Sequence, residues 1–376
     1  MQHTVVIGSG FAGLTAIRQL RSQGYNAPIT LISPRPIFFY FPSLIWVPAG
    51  KRSENDLTFS LEQFFARYNV DYHRGSVSKI LHSENKVITE SGAEINFDTL
   101  IIGSGGRFIK KLPGIEHVFT PCEGYAPTKA YTDRLNKLDS GTLAFGFASN
   151  PKEPAAMRGG PIFEFIFGID TLLRQQGRRD KFKIIFFSPA PRPGQRLGAK
   201  AVDKLLEEMQ KRDITTHLGH KMKGFTETSV ITEEQELHSD LTLFMPGMTG
   251  PVWAAESDLP LSEGGFVKAT QQCTVPETTN VYIAGDAGSF PGPDWMPKQA
   301  HMADLQADTV AKNIIAASKG QPAHHSFKTE LMCIVDTLDK GILVHRTEKG
   351  ASMYPKTVVF HWAKRFFEWL YLRKYK

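Results

Sequence analysis

Cysteine is scarce in this chain of 376 residues, which contains only three. The three lie far apart, and an odd number of cysteines at wide spacing builds neither a disulfide framework nor a zinc site. The histidines are scattered as well, and no metal-ligand spacing occurs among them. No metal is therefore expected, and each cysteine must be judged by its own neighbours.

A targeting segment and a long hydrophobic run are also missing. The first buried strand is predicted to begin by Thr4, which leaves no room for a signal peptide, so we expect a protein made in the cytoplasm. Hydrophobic residues make up 41% and charged residues 22% of the chain, as in ordinary folded proteins. Basic residues are not interleaved with aromatic ones along a groove-like stretch, which argues against nucleic acid as a partner.

The sequence does contain a glycine-rich turn close to its start. An apolar run of the length of one buried strand is followed by Gly8, Gly10 and Gly13 in G-x-G-x-x-G spacing, and then by a helical pattern. The intervening Phe11 and Ala12 complete the turn. Strand, tight turn and helix in this order predict a phosphate cradle, because the glycines let the backbone approach a pyrophosphate at the helix N-terminus.

A second stretch, much later in the chain, has the features of a flavin site. Residues 281–284 are predicted to form a buried strand that ends at Gly285 and Asp286. The Asp286 carboxylate can accept hydrogen bonds from the ribityl chain of FAD. The two stretches together therefore predict a redox flavoprotein rather than a protein that binds only a nicotinamide nucleotide.

A helix is predicted to begin at Pro297, soon after this second stretch. Its N-terminus at Lys298 and Gln299 would face the flavin pyrimidine ring and stabilise the negative charge of the reduced ring. The second predicted strand of the chain ends in Ser33. Many dinucleotide-binding folds have an acid there that binds the adenosine ribose, so NAD-like specificity is not supported. Ser33 is one of five further predicted cofactor-binding residues at strand ends, with Pro34, Gly103, Ser104 and Gly105.

The order of predicted strands and helices divides the chain into two α/β units, the second inserted in the first. We predict a discontinuous FAD-binding domain at 1–113 and 256–330, a second nucleotide-binding-like domain at 114–255, and a C-terminal region at 331–376. The first turn of the second unit, residues 146–151, has no second or third glycine. A nicotinamide dinucleotide lacks its usual phosphate cradle there, which argues against an NADH-driven enzyme.

The C-terminal region is predicted to contain an amphipathic helix. Val359, Trp362, Phe366 and Trp369 or Leu370 recur at steps of three and four, so they share one helix face. Basic residues crowd the same segment, namely Lys356, Lys364, Arg365, Arg373, Lys374 and Lys376. The segment is too short and too charged to span a bilayer, so we expect it to lie in the membrane interface. Docking of the helix on the protein's own core or on a second subunit is the alternative.

Over essentially its whole length, the chain resembles the sulfide:quinone oxidoreductases, relatives of flavocytochrome c sulfide dehydrogenase and of the non-proton-pumping NADH:quinone reductases. The resemblance rests on the N-terminal glycine turn, Gly285-Asp286, Pro297-Lys298, the Gly-Pro-x-x-Glu segment at 160–164, two cysteines and the amphipathic tail. It implies two Rossmann-like dinucleotide-binding domains with FAD between them. It also implies a reduced sulfur compound such as sulfide as the donor, and a membrane quinone as the acceptor that meets the C-terminal region.

The same resemblance implies where sulfur chemistry would occur. Cys333 looks like the redox cysteine of the C-terminal part, and Cys122 looks like a loop cysteine that in some members is linked to the flavin or holds sulfur. Where the family usually has its other essential cysteine, this chain has Arg158. Either Cys122 and Cys333 form a substitute pair of thiols, or Arg158 holds an anionic substrate while Cys333 is a buried bystander. Cys273 is predicted to be a structural strand residue.

Glu164 has apolar neighbours on its predicted helix, so burial would raise its pKa and suit it to proton delivery. A capping or ion-paired role is the alternative.

The sequence thus predicts an α/β flavoprotein, peripheral on the cytoplasmic membrane, that passes electrons from sulfide through FAD to a quinone. A quinone reductase fed by NADH and a non-catalytic flavin-binding subunit remain open alternatives. The face of the membrane that the protein occupies and its assembly into a homo-oligomer also stay open.

Overall fold

The structure, a computed structural model, describes residues 2–375. Met1 of the predicted FAD-binding domain and Lys376 of the predicted basic tail therefore lie outside the described residues. The β-strands are β1 Thr4–Ile7, β2 Ile29–Ser33, β3 Ile37–Phe39, β4 Thr58–Ser60, β5 Val70–Arg74, β6 Val77–Leu81, β7 Lys86–Thr89, β8 Glu94–Asn96, β9 Thr99–Ile102, β10 Arg107–Phe108, β11 Gly141–Phe147, β12 Phe182–Ser188, β13 Ile214–Leu218, β14 Met222–Phe225, β15 Ser229–Thr232, β16 Glu236–His238, β17 Leu241–Met245, β18 Met248–Thr249, β19 Val267–Lys268, β20 Val281–Ile283, β21 Gly288–Ser289, β22 Glu330–Asp336, β23 Gly341–Thr347 and β24 Gly350–Met353. The α-helices are α1 Phe11–Ser22, α2 Glu54–Leu57, α3 Glu62–Tyr68, α4 Tyr125–Lys137, α5 Gly160–Gln175, α6 Ala199–Lys211, α7 Ala300–Ser318 and α8 Val358–Leu372.

A five-stranded parallel sheet is built around β1, in the order β20-β9-β1-β2-β5. Strands β1 and β9 are buried along their whole length, as expected for unbroken apolar strands that are covered on both faces. Ile7 lies beside Ile32 of β2 and Ile102 of β9, so the carboxyl ends of these strands reach the same edge of the sheet. Strand β20, far along the chain, completes this sheet beside β9.

A four-stranded parallel sheet, in the order β13-β12-β11-β17, is formed entirely by residues that lie between β9 and β20 in the sequence. Phenylalanine rings fill its core, with Phe145, Phe163 and Phe186 almost completely buried. The apolar run at 182–188 predicts a strand, which is β12, and the helical pattern at 200–212 predicts a helix, which is α6, shifted by one residue. The fold is therefore mixed α/β with parallel sheets, as the sequence predicts.

Several local predictions are wrong in detail. Residues 68–98 alternate in the manner of a short antiparallel sheet, but β5 joins the large parallel sheet and, within this segment, β6, β7 and β8 pair antiparallel. The segment at 36–48 has too many prolines for an α-helix and favours an apolar loop, yet it forms β3 and a 3-10 helix, Phe41–Trp46, in which the Trp46 side chain is buried. Cys273 lies in a turn with φ of 60° rather than in a strand.

The C-terminal part consists of the antiparallel sheet β22-β23-β24 with α8 packed against β22 and β23. Helix α8 is oriented with its apolar face outward: Trp362 is 58% exposed, and Val359, Phe366, Trp369 and Leu370 are exposed as well. This outward face is the one predicted from the periodicity, and it does not dock on the protein's own core. No helix within residues 2–375 is long and apolar enough to cross a membrane.

The inward side of α8 and the residues after it carry polar groups. The Tyr371 hydroxyl donates to Asp304 Oδ1 of α7 at 2.9 Å, and Thr15 Oγ1 of α1 donates to the same oxygen at 2.6 Å. The Tyr375 hydroxyl lies 3.4 Å from Thr15 Oγ1 and donates to the Tyr371 hydroxyl. The end of the described chain is thereby fastened to α1 and α7, the two helices that follow the predicted cofactor motifs.

Candidate active site

The glycine turn after β1 brings three backbone segments into close contact. A Cβ atom on Gly13 would lie 2.0 Å from the Gly8 carbonyl oxygen, and one on Gly103 would lie 2.8 Å from the Gly13 nitrogen. Gly8 itself has φ of 101°, a left-handed conformation that glycine adopts without strain. Gly10 differs, because the nearest atom to a Cβ there is the Gly103 carbonyl oxygen at 4.0 Å. The backbone of the turn is therefore in close contact with Gly103 at the end of β9, whereas the backbone at Gly10 has free space beside it.

Two buried polar atoms beside this turn indicate that a polar ligand belongs there. Among the described residues, neither Ser104 Oγ nor Gln299 Nε2 has a hydrogen-bond partner, although both atoms are buried. An unpaired buried polar group costs free energy, so such atoms are usually satisfied by something that binds. With the open backbone at Gly10 and the N-terminus of α1 next to it, these residues fit the pyrophosphate and flavin parts of FAD.

Gly285 and Asp286 follow β20 at the same edge of the sheet. The Gly285 N–H donates to Gln306 Oε1 of α7 at 2.8 Å, which fixes the turn against that helix. The Asp286 carboxylate, predicted to bind a ribityl chain, forms an ion pair with Arg158. Lys298 Nζ donates to the backbone oxygens of Asp286 at 3.3 Å and Gly288 at 2.8 Å, and its burial lowers its pKa while Asp286 opposes that shift.

Helix α7 begins at Ala300 with Gln299 as its N-cap, not at Pro297 as the sequence pattern predicted. Pro297, Lys298 and Asp286 instead line a small cavity of about 40 Å³ beside α7. Lys298 precedes the helix, and its ammonium group is directed to backbone oxygens of the Asp286 turn. Lys298 is therefore a buried cation just ahead of the helix N-terminus, and its position near a flavin ring stays a prediction.

Cys122 and Cys333, which are far apart in sequence, both interact with Glu164. Cys122 is buried in a 3-10 turn, Pro121–Glu123, and burial first, then the Glu164 carboxylate, raise its pKa to about 11 against the opposing effect of Arg158. Cys333 is half-buried on β22, and the same two causes raise its pKa to about 12 against the effect of Lys364. Both thiols are therefore neutral near pH 7, with one carboxylate close to each.

Glu164 is buried on α5 and pairs with Lys364 of α8. Its Oε1 also accepts the Asp336 N–H of β22 at 2.9 Å, and Lys364 Nζ donates to the Ile334 carbonyl oxygen at 3.1 Å. Burial raises the pKa of Glu164, and the Lys364 ammonium limits this rise. The predicted burial of Glu164 is confirmed, and so is the ion-paired alternative.

Lys364 was predicted to belong to the basic residues of a helix at the membrane interface. In the structure its side chain points inward and pairs with Glu164. Lys356 likewise pairs with Glu208. Arg365 and Arg373 remain at the margins of α8, each stacked on a tryptophan of that helix. The partners in both ion pairs are far apart in sequence, so a local pattern does not predict them. For Lys364, the sequence indicated only that the residue lies off the apolar face of the predicted helix.

Arg158 and its surroundings form a second set of buried charges. Arg196 donates to the carbonyl oxygens of Ala155 at 2.7 Å and Met157 at 3.2 Å, so it holds the segment that leads to Arg158. Burial lowers the pKa of Arg196 to about 10. Arg196 was not predicted as a site residue. It donates to backbone oxygens, and no sequence motif indicates such contacts.

Ser33 and Pro34 lie at the carboxyl end of β2. The Ser33 hydroxyl donates to the Arg35 carbonyl oxygen at 2.8 Å, and Pro34 is exposed. Gly105 has φ of 75° and open space around it. These residues surround the glycine turn, and their contacts with a nucleotide stay predictions. Within residues 2–375, no group of His, Cys, Asp and Glu could hold a metal ion.

The corresponding turn of the second sheet is filled by aromatic rings. A Cβ on Gly146 of β11 would lie 2.4 Å from the Phe187 ring, and one on Gly159 would lie 2.7 Å from the Phe147 ring. Phe147 and Phe163 pack edge to face with centroids 5.7 Å apart. The turn after β11 thus lacks the G-x-G-x-x-G spacing, although Gly160 at the start of α5 has open space around it.

Comparison with known proteins gives results that agree with this geometry. A family model described as pyridine nucleotide-disulphide oxidoreductase matches residues 2–307. A sulfide-quinone reductase of Aquifex aeolicus is 26% identical over 353 residues, with 89% of this chain and 81% of the relative covered. A type II NADH:quinone oxidoreductase of Staphylococcus saprophyticus is 25% identical over 339 residues, covering 85% of this chain and 83% of that protein.

The solved structures also include a similar fold. The X-ray structure of the sulfide:quinone oxidoreductase from Aquifex aeolicus superposes with a TM-score of 0.90 at 24% identity, covering 100% of this chain and 91% of that one. Fold and site together define an FAD-dependent oxidoreductase. The chain belongs to the pyridine nucleotide-disulphide oxidoreductase family.

The contrast between two glycines tests the cofactor cradle. We expect Gly10→Ala to fold with near-normal thermal stability but to retain little FAD, because its methyl group meets no protein atom and occupies the open face of the turn. Gly13→Ala should lower the melting temperature as well, because its methyl group would lie 2.0 Å from the Gly8 oxygen. Flavin content by absorbance and melting by circular dichroism measure the two effects. Normal FAD content in Gly10→Ala would contradict the assignment.

The charge of Lys364 is expected to control Cys333. In a Cys122→Ser, Cys273→Ser background, replacing Lys364 by Met removes the cation that lowers the pKa of Cys333, so its alkylation by iodoacetamide should need a higher pH. The rate of alkylation between pH 7 and 11 measures this shift. Lys312→Met, which removes an exposed partner of Asp308, is the control. An unchanged pH profile in Lys364→Met would show that the lysine does not act on the thiol.

Proposed function

We propose that this protein oxidises sulfide and passes two electrons through FAD to a membrane quinone. The observation that carries the proposal is that Glu164 interacts with two thiols and with a lysine. The lysine lies on α8, the helix whose apolar face is exposed. The similarity to a sulfide-quinone reductase at 26% identity, over most of both chains, supports the same donor and acceptor.

Each residue of this cluster has a distinct part in the proposed reaction. Cys333 holds the sulfur atom of the substrate, and Cys122 is the second thiol. Because burial keeps both thiols protonated near pH 7, Glu164 is the group that takes a proton from a thiol and returns it. Lys364 balances the negative charge that each such transfer creates. Bound FAD supplies two-electron acceptance and release.

Arg158 occupies the position where the sequence resemblance expects a further cysteine. Its guanidinium pairs with the Asp286 carboxylate and lowers the pKa of Cys122. Arginine cannot form a sulfur bridge, but it stabilises an anion beside it. We therefore assign the sulfur bridge to Cys122 and Cys333, with Arg158 holding the anionic form of Cys122 and its persulfide.

The same proposal extends to domain organisation. The large parallel sheet, built from residues 4–102 and completed by β20, represents the FAD-binding domain at 1–113 and 256–330. The four-stranded sheet represents an inserted nucleotide-binding-like domain at 114–255. Residues 331–376 form the region that meets quinone and membrane. The two sheets have separate hydrophobic cores, although the core around the four-stranded sheet also takes in apolar residues from 44–57 and 331–344.

Similarity to type II NADH:quinone oxidoreductases favours a second candidate, a quinone reductase fed by NADH. The turn after β11 weighs against it, because it lacks the G-x-G-x-x-G spacing that forms the predicted phosphate cradle after β1. The two candidates differ in which donor bleaches the flavin.

Cys333→Ser is expected to abolish quinone reduction by sulfide, with at least a hundredfold loss of rate, because the sulfur-holding thiol is gone. Stopped-flow absorbance of the flavin, with sulfide or NADH as the donor, measures the reductive half of the reaction. Cys273→Ser, at a buried cysteine away from the cluster, is the matched control and should retain wild-type rates. Rapid bleaching by NADH and none by sulfide would replace the proposal with its rival.

We also propose that α8 seats the protein on a membrane surface. Its outward face is apolar and continuous, while Arg365 and Arg373 stack on Trp362 and Trp369 at the margins of that face. Exposed apolar patches of this kind mark interaction sites, and basic groups at the margin suit anionic headgroups. Tyr354 and Met332, also exposed, extend the apolar surface beyond α8.

The double variant Trp362→Gln, Phe366→Gln should bind vesicles of anionic phospholipid at least tenfold more weakly than the wild type, because two large exposed apolar side chains no longer enter the interface. Co-sedimentation with the vesicles measures binding. Val252→Gln, at an exposed apolar residue outside α8, should bind normally. Unaltered sedimentation of the double variant, with flavin content retained, would refute membrane contact through this face.

A further inference from the structure

A cluster of three titratable side chains lies outside the thiol site and has no part in the reaction described so far. Glu330 begins β22, His345 is on β23 and His301 is near the start of α7. His345 Nε2 lies 2.6 Å from Glu330 Oε1, and His301 Nε2 lies 3.2 Å from Glu330 Oε2. Each carboxylate oxygen therefore faces one imidazole, and all three side chains are partly exposed to solvent.

The cluster lies on the same short sheet as the proposed sulfur-holding cysteine. Glu330 and Cys333 are three residues apart on β22, about 10 Å at the usual rise of a strand. His345 pairs across the sheet with Met332, whose side chain is exposed, and α8 packs against both of these strands. Alternation along the strand puts Glu330 and Met332 on one face and Cys333 on the other. The cluster thus lies on the sheet that carries both the proposed sulfur-holding cysteine and the proposed membrane helix.

Polar groups also lead inward from the cluster. Gln299 and Thr329 immediately precede the segments that carry His301 and Glu330. Within residues 2–375, Gln299 Nε2 and Thr329 Oγ1 are buried and have no hydrogen-bond partner. Buried polar atoms without protein partners are commonly bridged by ordered water. Gln299 is the N-cap of α7 and stands in the chain between His301 and Lys298, which lines the cavity next to Asp286.

The charge state of the cluster suits proton transfer. Hydrogen bonds from His345 and then His301 lower the pKa of Glu330 against the effect of burial, so the carboxylate stays ionised. The charged or titratable groups that face it are the imidazoles from α7 and β23. An ionised carboxylate hydrogen-bonded to two imidazoles fixes both rings in orientations from which a ring nitrogen can accept and pass on a proton.

The proposed reaction needs such a proton source. Oxidation of hydrosulfide to the level of elemental sulfur releases two electrons and one proton. Reduction of a quinone to a quinol takes up two electrons and two protons. The balance is one proton taken from water in each turnover, and it must reach a quinone that enters from an apolar surface.

We infer that His301, Glu330 and His345 form the proton-uptake site of the quinone-reducing half of the reaction. The inference rests on the proposed function. The histidines take a proton from solvent at the edge of the membrane-facing surface, Glu330 holds the two rings in place, and the proton moves inward past Gln299. Sulfide oxidation at Cys333 does not use the cluster.

The two halves of the reaction can be measured separately. Anaerobic protein reduced with dithionite is mixed with a short-chain ubiquinone, and flavin reoxidation is followed by stopped-flow absorbance. His301→Gln and His345→Gln should each slow reoxidation about tenfold at pH 8 and much less at pH 6, where solvent protons are more abundant. Added imidazole should partly restore the rate, because the cluster is partly exposed. Flavin reduction by sulfide should keep its wild-type rate.

Two further variants complete the design. Glu330→Gln should show the same pH-dependent loss without rescue by imidazole, and circular dichroism checks its folding. His220→Gln removes another surface histidine that pairs with a carboxylate, Glu234 at 2.8 Å, and should change nothing. Wild-type reoxidation at pH 8 in both histidine variants overturns the inference, and so does an equal loss of sulfide-driven reduction. A wild-type protein that quinone fails to reoxidise would instead disprove the proposed function, and the inference with it.

Discussion

The ion pair between Glu164 and Lys364 determines how the rest of the site is arranged. It joins residues 200 positions apart, on a core helix and on the outermost helix. Its polar atoms also bind the backbone of β22 at Ile334 and Asp336, so the strand with Cys333 is fixed by the same contact. Removing one partner of a buried pair typically costs about 3–5 kcal/mol. Lys364 of α8 faces inward, and Trp362, Phe366 and Trp369 on the other side of the helix face outward.

Local patterns predicted the parts of the protein that local physics controls. The glycine turn after β1 and the strand before Gly285 follow from backbone sterics and apolar runs, and both are found where expected. The partner of Lys364 could not be predicted, because charge alone favoured solvent or lipid headgroups and only tertiary packing brings Glu164 within reach. The start of α7 was misplaced for a similar reason: the proline pattern is local, while contacts with the Asp286 turn direct Lys298 away from the helix.

Arg158 shows how one position changes the chemistry that a shared fold can perform. A cysteine there could exchange sulfur, whereas a guanidinium only supplies charge and hydrogen bonds. The structure gives that charge a fixed setting, with Asp286 as counter-ion and Arg196 holding the preceding backbone. Each thiol is left with one carboxylate, Glu164, that raises its pKa and one cation that lowers it, Arg158 for Cys122 and Lys364 for Cys333.

The hydrogen bond between Thr15 and Tyr375 has a consequence for biosynthesis. The two residues are 360 positions apart, so a ribosome working at 5–20 residues per second makes the second roughly 20–70 s after the first. During that interval α1 lacks the aromatic cover that Tyr371 and Tyr375 later provide. Nascent chains thus pass through a period in which the nucleotide cradle is exposed, and cofactor loading can precede closure of the tail.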